Sequence, residues 1–232
     1  MTVPRYFALI PAAGAGSRMN SDAPKQYLSI AGKPMLQHVL ETFASASALA
    51  GTFVVVSAGD DRIGNVLAAM PTLRHRIFVV RNGGATRHES VLNCLHAMRE
   101  DVDDDDWILV HDAARPGLDH GLIDKLIAAL ASDNVGGLLA LPVVDTLKRA
   151  GAGQRIDTTV PREGLWAAQT PQMFRYGLLR RALESTSTVT DEAGAVEALG
   201  LQPKLVAGSP RNFKVTMAHD IALAELYLKG SP

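Results

Sequence analysis

Ala8-Leu9-Ile10-Pro11-Ala12-Ala13-Gly14-Ala15-Gly16-Ser17-Arg18-Met19, with Pro24-Lys25-Gln26 shortly after, decides the fold. Tyr6–Ile10 is continuously apolar and reads as a buried strand. The chain then enters a loop of residues with almost no side chain. Small residues let a ligand approach backbone N–H groups, which can hold anionic oxygens. Arg18 and Lys25 add positive charge at the same place. A strand, a glycine loop and two cations at the head of the chain point to a nucleoside triphosphate site.

Working outward, short β-type runs alternate with helical patterns. Strands are expected at Tyr6–Ile10, Thr52–Ser57, Arg76–Val80, Trp107–His111 and Gly137–Leu141. Helices are expected near Pro34–Phe43, Arg62–Met70, Thr86–Arg99 and Asp119–Ala131. Most of the strand runs are apolar throughout, as parallel strands covered on both faces must be. The alternation predicts an α/β fold with a doubly wound, mostly parallel sheet. Ligands in such sheets bind at the carboxyl ends of strands, where the first loop, Gly83-Gly84 and His111-Asp112 would converge.

The rhythm breaks after Pro142. The runs 143–149 and 155–162 flank a glycine turn and read as a β-hairpin arm over about residues 142–162. The arm has too few apolar residues to bury itself, so it is expected to pack on a second subunit as a homodimer. Leu165-Trp166-Ala167-Ala168-Gln169-Thr170-Pro171-Gln172 reads as a plain turn or a wall of the substrate site. Beyond it come a helix at Tyr176–Glu184, another after Thr190, a strand near Lys204–Val206 and a last helix at Ala218–Lys229. Asn212–Thr216 reads as a strand ending. Residues 1–232 are expected to form one domain.

Composition narrows the function. A 47% hydrophobic content supports a real core. A net charge of −1 argues against a nucleic-acid partner. No apolar run approaches the ~20 residues that span a bilayer. The lone cysteine, Cys94, cannot form an internal disulfide and fits a reducing cytoplasm. On a helix it reads as a small core residue.

The first loop lacks the Gly-Lys-Ser/Thr ending of a Walker A loop, and Met19 stands where a dinucleotide fingerprint needs glycine or alanine. Gly83–Ser90 reads as a tight turn entering a helix, with Thr86 and Glu89 as a capping box; Gly84 and Ser90 read either as part of a plain capped helix start or as facing a nucleotide base. Asp112, at a strand's carboxyl end, is placed to hold Mg²⁺ or its water shell. Arg115 could grip a phosphate. Asp103–Asp106 reads as a solvated turn. Thr190-Asp191-Glu192 reads as a helix start with a threonine cap. Lys214 is a candidate phosphate holder. The histidines form no metal set, and no Ser–His–Asp arrangement is evident. An ionised phosphate nucleophile needs no general base; it needs positioning and charge neutralisation.

In their order, Pro11–Met19, Pro24-Lys25-Gln26-Tyr27, His111–Pro116, Gln169–Gln172, Thr190–Glu192 and Asn212–Thr216 resemble the 2-C-methyl-D-erythritol 4-phosphate cytidylyltransferase family over nearly the whole chain. The resemblance implies a Rossmann-like nucleotidyltransferase fold. It also implies attack by the sugar-alcohol phosphate on the α-phosphorus of CTP, with Mg²⁺ or another divalent cation on the triphosphate. It implies catalytic roles for Arg18, Lys25, Arg162 and Lys214. Pro11, Ala12, Ala13, Gly14, Gly16, Gly84, Ser90, Asp112 and Ala113 would surround the nucleotide. Arg115, Thr146, Thr170 and Thr190 would contact the second substrate, with Thr146 and Arg162 reaching a neighbour's site through the arm. Ribitol 5-phosphate cytidylyltransferases share much of the set, but Ala12-Ala13-Gly14, Ala113-Ala114 and Gly164-Leu165-Trp166 look more like the methylerythritol family. A non-catalytic nucleotide-binding regulator would not need Lys25, Arg162 and Lys214 around one centre.

Overall fold

The computed structural model describes residues 3–14 and 24–230. In chain order the elements are β1 (Tyr6–Pro11), β2 (Ser29–Ile30), β3 (Lys33–Pro34), α1 (Met35–Ser45), β4 (Gly51–Val55), α2 (Ile63–Ala68), β5 (Ile77–Val80), α3 (Arg87–Met98), β6 (Trp107–Val110) and α4 (His120–Leu130). They continue with β7 (Gly136–Pro142), β8 (Leu147–Ala150), β9 (Ile156–Val160), β10 (Trp166–Arg175), α5 (Tyr176–Glu184), α6 (Glu192–Ala198), β11 (Lys204–Ala207) and α7 (Ala218–Lys229).

One seven-stranded sheet has the order β11-β7-β10-β6-β1-β4-β5. Its pairings are parallel except those of β10, which runs antiparallel between β6 and β7. Alternate side chains of each central strand enter opposite cores. Ala8, Ile10, Val54 and Leu109 join one cluster with Leu36 of α1, Ile63 of α2 and Ile123 of α4. Phe7, Leu9, Phe53 and Ile108 join the other with Val91 of α3, Leu179 of α5 and Val196 of α6. Burial on both faces is why these strands read as unbroken apolar runs. Cys94 lies fully buried in the second cluster, and burial pushes its thiol pKa up. No helix among the described residues is long and apolar enough to cross a membrane.

The arm forms as expected. β8 and β9 make their own antiparallel pair, exposed along nearly its whole length. Gly153 at its tip has φ +65°, which favours glycine.

Three expectations need correction. The Trp166–Gln172 stretch is neither a turn nor only a wall: it belongs to β10, in the middle of the sheet. Proline argues against a central strand because it cannot donate to the ladder. Pro171 is accommodated because the β7 register shifts between Ala168 and Gln172. Asn212–Thr216 does not end a strand. Pro210–Asn212 forms a short 3-10 turn, and the next residues are irregular, tied to the sheet side by a Val215 N–H···O=C Ala114 bond of 2.8 Å.

The aspartate run is solvated only in part. Asp103, Asp104 and Asp105 are exposed, but Asp106 is buried. Its carboxylate accepts from the Arg5 backbone at 2.7 Å, the Arg5 guanidinium at 2.6 Å and the Asp103 backbone at 3.0 Å. This pins the entrance of β1 to the entrance of β6. Asp106→Ala leaves those N–H groups unpaired and is expected to cost about 2–4 kcal/mol, with Asp105→Ala within about 0.5 kcal/mol of the parent. Urea denaturation of the two variants checks this ranking.

Candidate functional site

A cleft of about 510 Å³ opens at the carboxyl ends of β1, β5 and β6. One wall is the first loop, Pro11 to Gly14. The opposite wall is the turn from Gly84 into α3. Ala113 and Asp112 form the floor, and Lys25 and Lys214 enter from separate segments. Arg18 and Gly16 lie outside the described residues.

Gly83 is small because its turn must touch the first loop, and Gly84 because it must pass Glu89 of its own helix. A Cβ on Gly83 would fall 2.2 Å from the Ala13 Cβ, and one on Gly84 would fall 2.3 Å from the Glu89 Cβ. Thr86 caps α3 by accepting from the Glu89 N–H, and the Glu89 carboxylate returns to the Thr86 N–H, the capping box read from the sequence. The Ser90 hydroxyl accepts from the Gly84 N–H at 3.1 Å and donates to the Thr86 carbonyl at 2.9 Å. Ser90 therefore builds the wall as well as lining it.

Asp112 is the electrostatic centre. Arg87 Nε donates to its Oδ1 at 2.9 Å, and Lys214 Nζ meets its Oδ2 at 2.8 Å. Arg115 Nε stands 3.8 Å from the same Oδ2. Burial opposes ionisation of Asp112, yet Arg87, Lys214 and Arg115 overcome it and hold the carboxyl well below the usual carboxylate range. Arg87 is shared. Its terminal nitrogens pair with both oxygens of Glu192 at 2.6 and 3.0 Å, and the Glu192 side chain is only 1% exposed. Burial works against the Arg87 charge, and Glu192 and Asp112 more than restore it.

Behind the floor runs a chain of directed bonds. The Asp112 N–H donates to Thr170 Oγ1 at 3.1 Å, and that hydroxyl lies 3.0 Å from His111 Nδ1. His111 Nε2 lies 3.1 Å from the Arg115 carbonyl oxygen. A carbonyl can only accept, so Nε2 carries the proton and Thr170 donates to Nδ1. Burial pushes the His111 pKa down to about 4. The ring is neutral with both nitrogens engaged, and it cannot serve as a general base.

The other expected site residues are placed as follows. Thr170 is buried, and its hydroxyl is committed to Asp112 and His111. Arg115 donates to the carbonyls of Asn212 at 2.8 Å and Ala168 at 3.4 Å, tying the Lys214 segment to β10. Both hold the cleft from behind rather than lining it. Thr190 does not cap α6; Asp191 does, accepting from the Gly194 N–H. Thr190 lines a smaller neighbouring hollow that shares Arg87 with the cleft. Thr146 and Arg162 sit exposed on the arm and do not line this chain's own cleft, where Arg162 donates to the Val144 carbonyl. Asp112 does not fit as a metal ligand, because both of its oxygens already face cations. Among the described residues no three His, Cys, Asp or Glu side chains gather as a metal group.

Sequence reading missed Arg87, Glu192 and Gln26. Glu192 begins a helix, where an acid needs no explanation beyond the helix dipole, whereas Arg87 opens α3, where the dipole disfavours a cation and its distant carboxylate partners account for it. Gln26 donates to the Ala12 carbonyl at 2.7 Å, joining the Lys25 segment to the first loop. The partners are 105 residues apart in one case and 14 in the other, so periodicity carries no sign of them.

The profile of the 2-C-methyl-D-erythritol 4-phosphate cytidylyltransferase family matches residues 6–230. A protein of that name from Nitrosospira multiformis is 54% identical, over 97% of this chain and 98% of its own. One from Dechloromonas aromatica is 52% identical, over 98% and 99%. A crystal structure of a 4-diphosphocytidyl-2C-methyl-D-erythritol synthase superposes with a TM-score of 0.86 at 44% identity, covering 98% of this chain and 100% of that one. The Thermus thermophilus cytidylyltransferase gives 0.77 at 32%, covering 99% and 100%.

The His111 bonds predict a pH effect on stability. The unfolded imidazole takes a proton below about 6.5, whereas the folded one resists it until about 4. This contribution is complete above about pH 6.5 and is lost as pH falls toward about 4. Urea unfolding of wild type and His111→Asn at pH 7 and pH 5, values chosen roughly to bracket that window, should give the variant the smaller loss on acidification.

Proposed function

Because the chain belongs to the 2-C-methyl-D-erythritol 4-phosphate cytidylyltransferase family, we propose that this cleft transfers the cytidylyl group of CTP to 2-C-methyl-D-erythritol 4-phosphate. The products are 4-diphosphocytidyl-2-C-methyl-D-erythritol and pyrophosphate. The observation that carries the reading is the meeting of Lys25 and Lys214 at one small-residue cleft. An oxygen of the acceptor phosphate forms a bond to the α-phosphorus. The bond from that phosphorus to the bridging oxygen breaks, and pyrophosphate leaves with the electron pair. The nucleophile is already an anion, which fits a site whose histidine is neutral and occupied.

In this reading cytosine lies between the Ala12–Gly14 wall and the Gly84–Ser90 wall. Lys25, with Arg18, offsets the charge that gathers on the α-phosphorus oxygens and on the leaving group. Lys214, aimed by Asp112, receives the acceptor phosphate. Magnesium, or another divalent cation, enters on the oxygens of CTP, since Asp112 is taken up by cations. The exposed arm embraces a second subunit and delivers Thr146 and Arg162 to the partner's cleft. Its lone thiol, buried Cys94, suits a cytoplasmic enzyme.

Pyrophosphate release from CTP with each sugar-alcohol phosphate tests the assignment. The methylerythritol phosphate should be the preferred acceptor, and equal or better use of ribitol 5-phosphate would reverse the choice. Lys25→Ala and Arg18→Ala should each lower kcat by about 10²–10³ with folding retained. Lys25→Ala mixed with Arg162→Ala should regain activity that neither has alone, because one mixed site then carries both side chains. No recovery in verified mixed dimers would sink the arm's role.

A further inference from the structure

We propose that Tyr27 is a positioning residue for Lys25, its hydroxyl latching the lysine-bearing turn to Asp60 at the head of α2. The inference rests on the role given above to Lys25.

Lys25 stands on a single 3-10 turn, Lys25–Tyr27, closed by the bonds Tyr27 N–H to Pro24 C=O at 2.9 Å and Leu28 N–H to Lys25 C=O at 3.1 Å. So short an element has little rigidity of its own. Two side chains tie it to the sheet. Gln26 holds the Ala12 carbonyl, as described. Tyr27 lays its ring against the first core cluster and donates its hydroxyl to Asp60 Oδ2 at 2.7 Å.

Asp60 is a fixed anchor. Its other oxygen accepts from the backbone N–H groups of Arg62 and Ile63 at 3.0 and 2.9 Å, which starts α2. Its carbonyl accepts from the Arg81 guanidinium at 2.5 Å, just past the end of β5. The anchor therefore joins β4, α2 and β5, and the latch transmits their position to the turn. Burial, and then Asp60 itself, push the phenol pKa up, so Tyr27 remains a donor throughout the working pH range. Neither Tyr27 nor Asp60 lines the cleft. Any effect on chemistry must pass through the turn, and a displacement of about 1 Å in a charge-bearing group can cost on the order of 10² in rate.

Tyr27→Phe keeps the ring and removes only the hydroxyl. It is expected to lower kcat about tenfold. In a Lys25→Ala background the same change should produce no further loss under single-turnover conditions, because the group it positions is gone. Asp60→Asn can keep its Oδ1 on the α2 N–H groups and donate from its amide nitrogen to the phenol oxygen, so it should keep more turnover than Tyr27→Phe. Thermal unfolding of each variant sets an assay temperature at which all are folded. A Tyr27→Phe enzyme with lowered thermal stability but wild-type kcat would overturn the positioning role. So would an equal proportional loss with and without Lys25, or an Asp60→Asn enzyme weaker than Tyr27→Phe. Undiminished turnover in Lys25→Ala would instead overturn the role of Lys25 itself, and the proposal with it.

Discussion

The Asp112 carboxylate is the contact on which the rest of the site depends. It stands just beyond β6 and draws Arg87 from α3, Arg115 from its own loop and Lys214 from the segment before α7. Three segments distant in sequence are gathered on one buried anion. Without that anion, three cations would be held close together with little water to screen them. The low pKa of Asp112 follows from this crowding, and it keeps the carboxylate charged across the neutral range. Glu192 performs the matching task on the far side of Arg87, fixing the planar guanidinium with a bidentate pair.

The balance of these charges explains how a chain with net charge −1 can receive anions. Among the described residues that line the cleft, Lys25, Arg87 and Lys214 outnumber the carboxylate Asp112. The local excess is positive even though the whole is not. The excess is also arranged by depth. Arg87 and Arg115 are spent on carboxylates and backbone carbonyls, so they are scaffold. Lys25, from a single 3-10 turn, and Lys214, from an irregular segment and paired with Asp112, reach the cleft beside Arg87. Cations held on buried carboxylates and backbone carbonyls set a field that exists before a ligand enters.

Much of this was legible in the sequence. The apolar runs around Leu9, Val54 and Leu109 required cover on both faces, so the parallel sheet followed from them. The small-residue loop and the Gly83-Gly84 turn could be assigned to one sheet end because both follow apolar strands. What escaped was whatever depended on a partner far along the chain. Pro171 disguised β10, since a strand at the centre of a sheet is where proline is least expected and the register shift that admits it is a tertiary feature. Asp106 looked like its three solvated neighbours until Arg5 was beside it. The partners of Thr170 and Arg115, which are Asp112, His111 and backbone carbonyls, were also hidden, because sequence names a polar group without showing which way it points.

The direction of those polar groups bears on how the cleft is held. The His111, Thr170 and Asp112 bonds form a directed chain in which each donor has one available acceptor. Reversing any proton would leave a buried polar atom unpaired, at a cost of about 1–3 kcal/mol. The neutral imidazole is therefore a fixed strut, and the backbone of Asp112 is held as firmly as its carboxylate. A carboxylate with both main chain and side chain fixed can carry Lys214 at a constant place. The position of Lys214 is thus set from the end of β6, the strand beside β1, whose following loop forms another wall of the cleft.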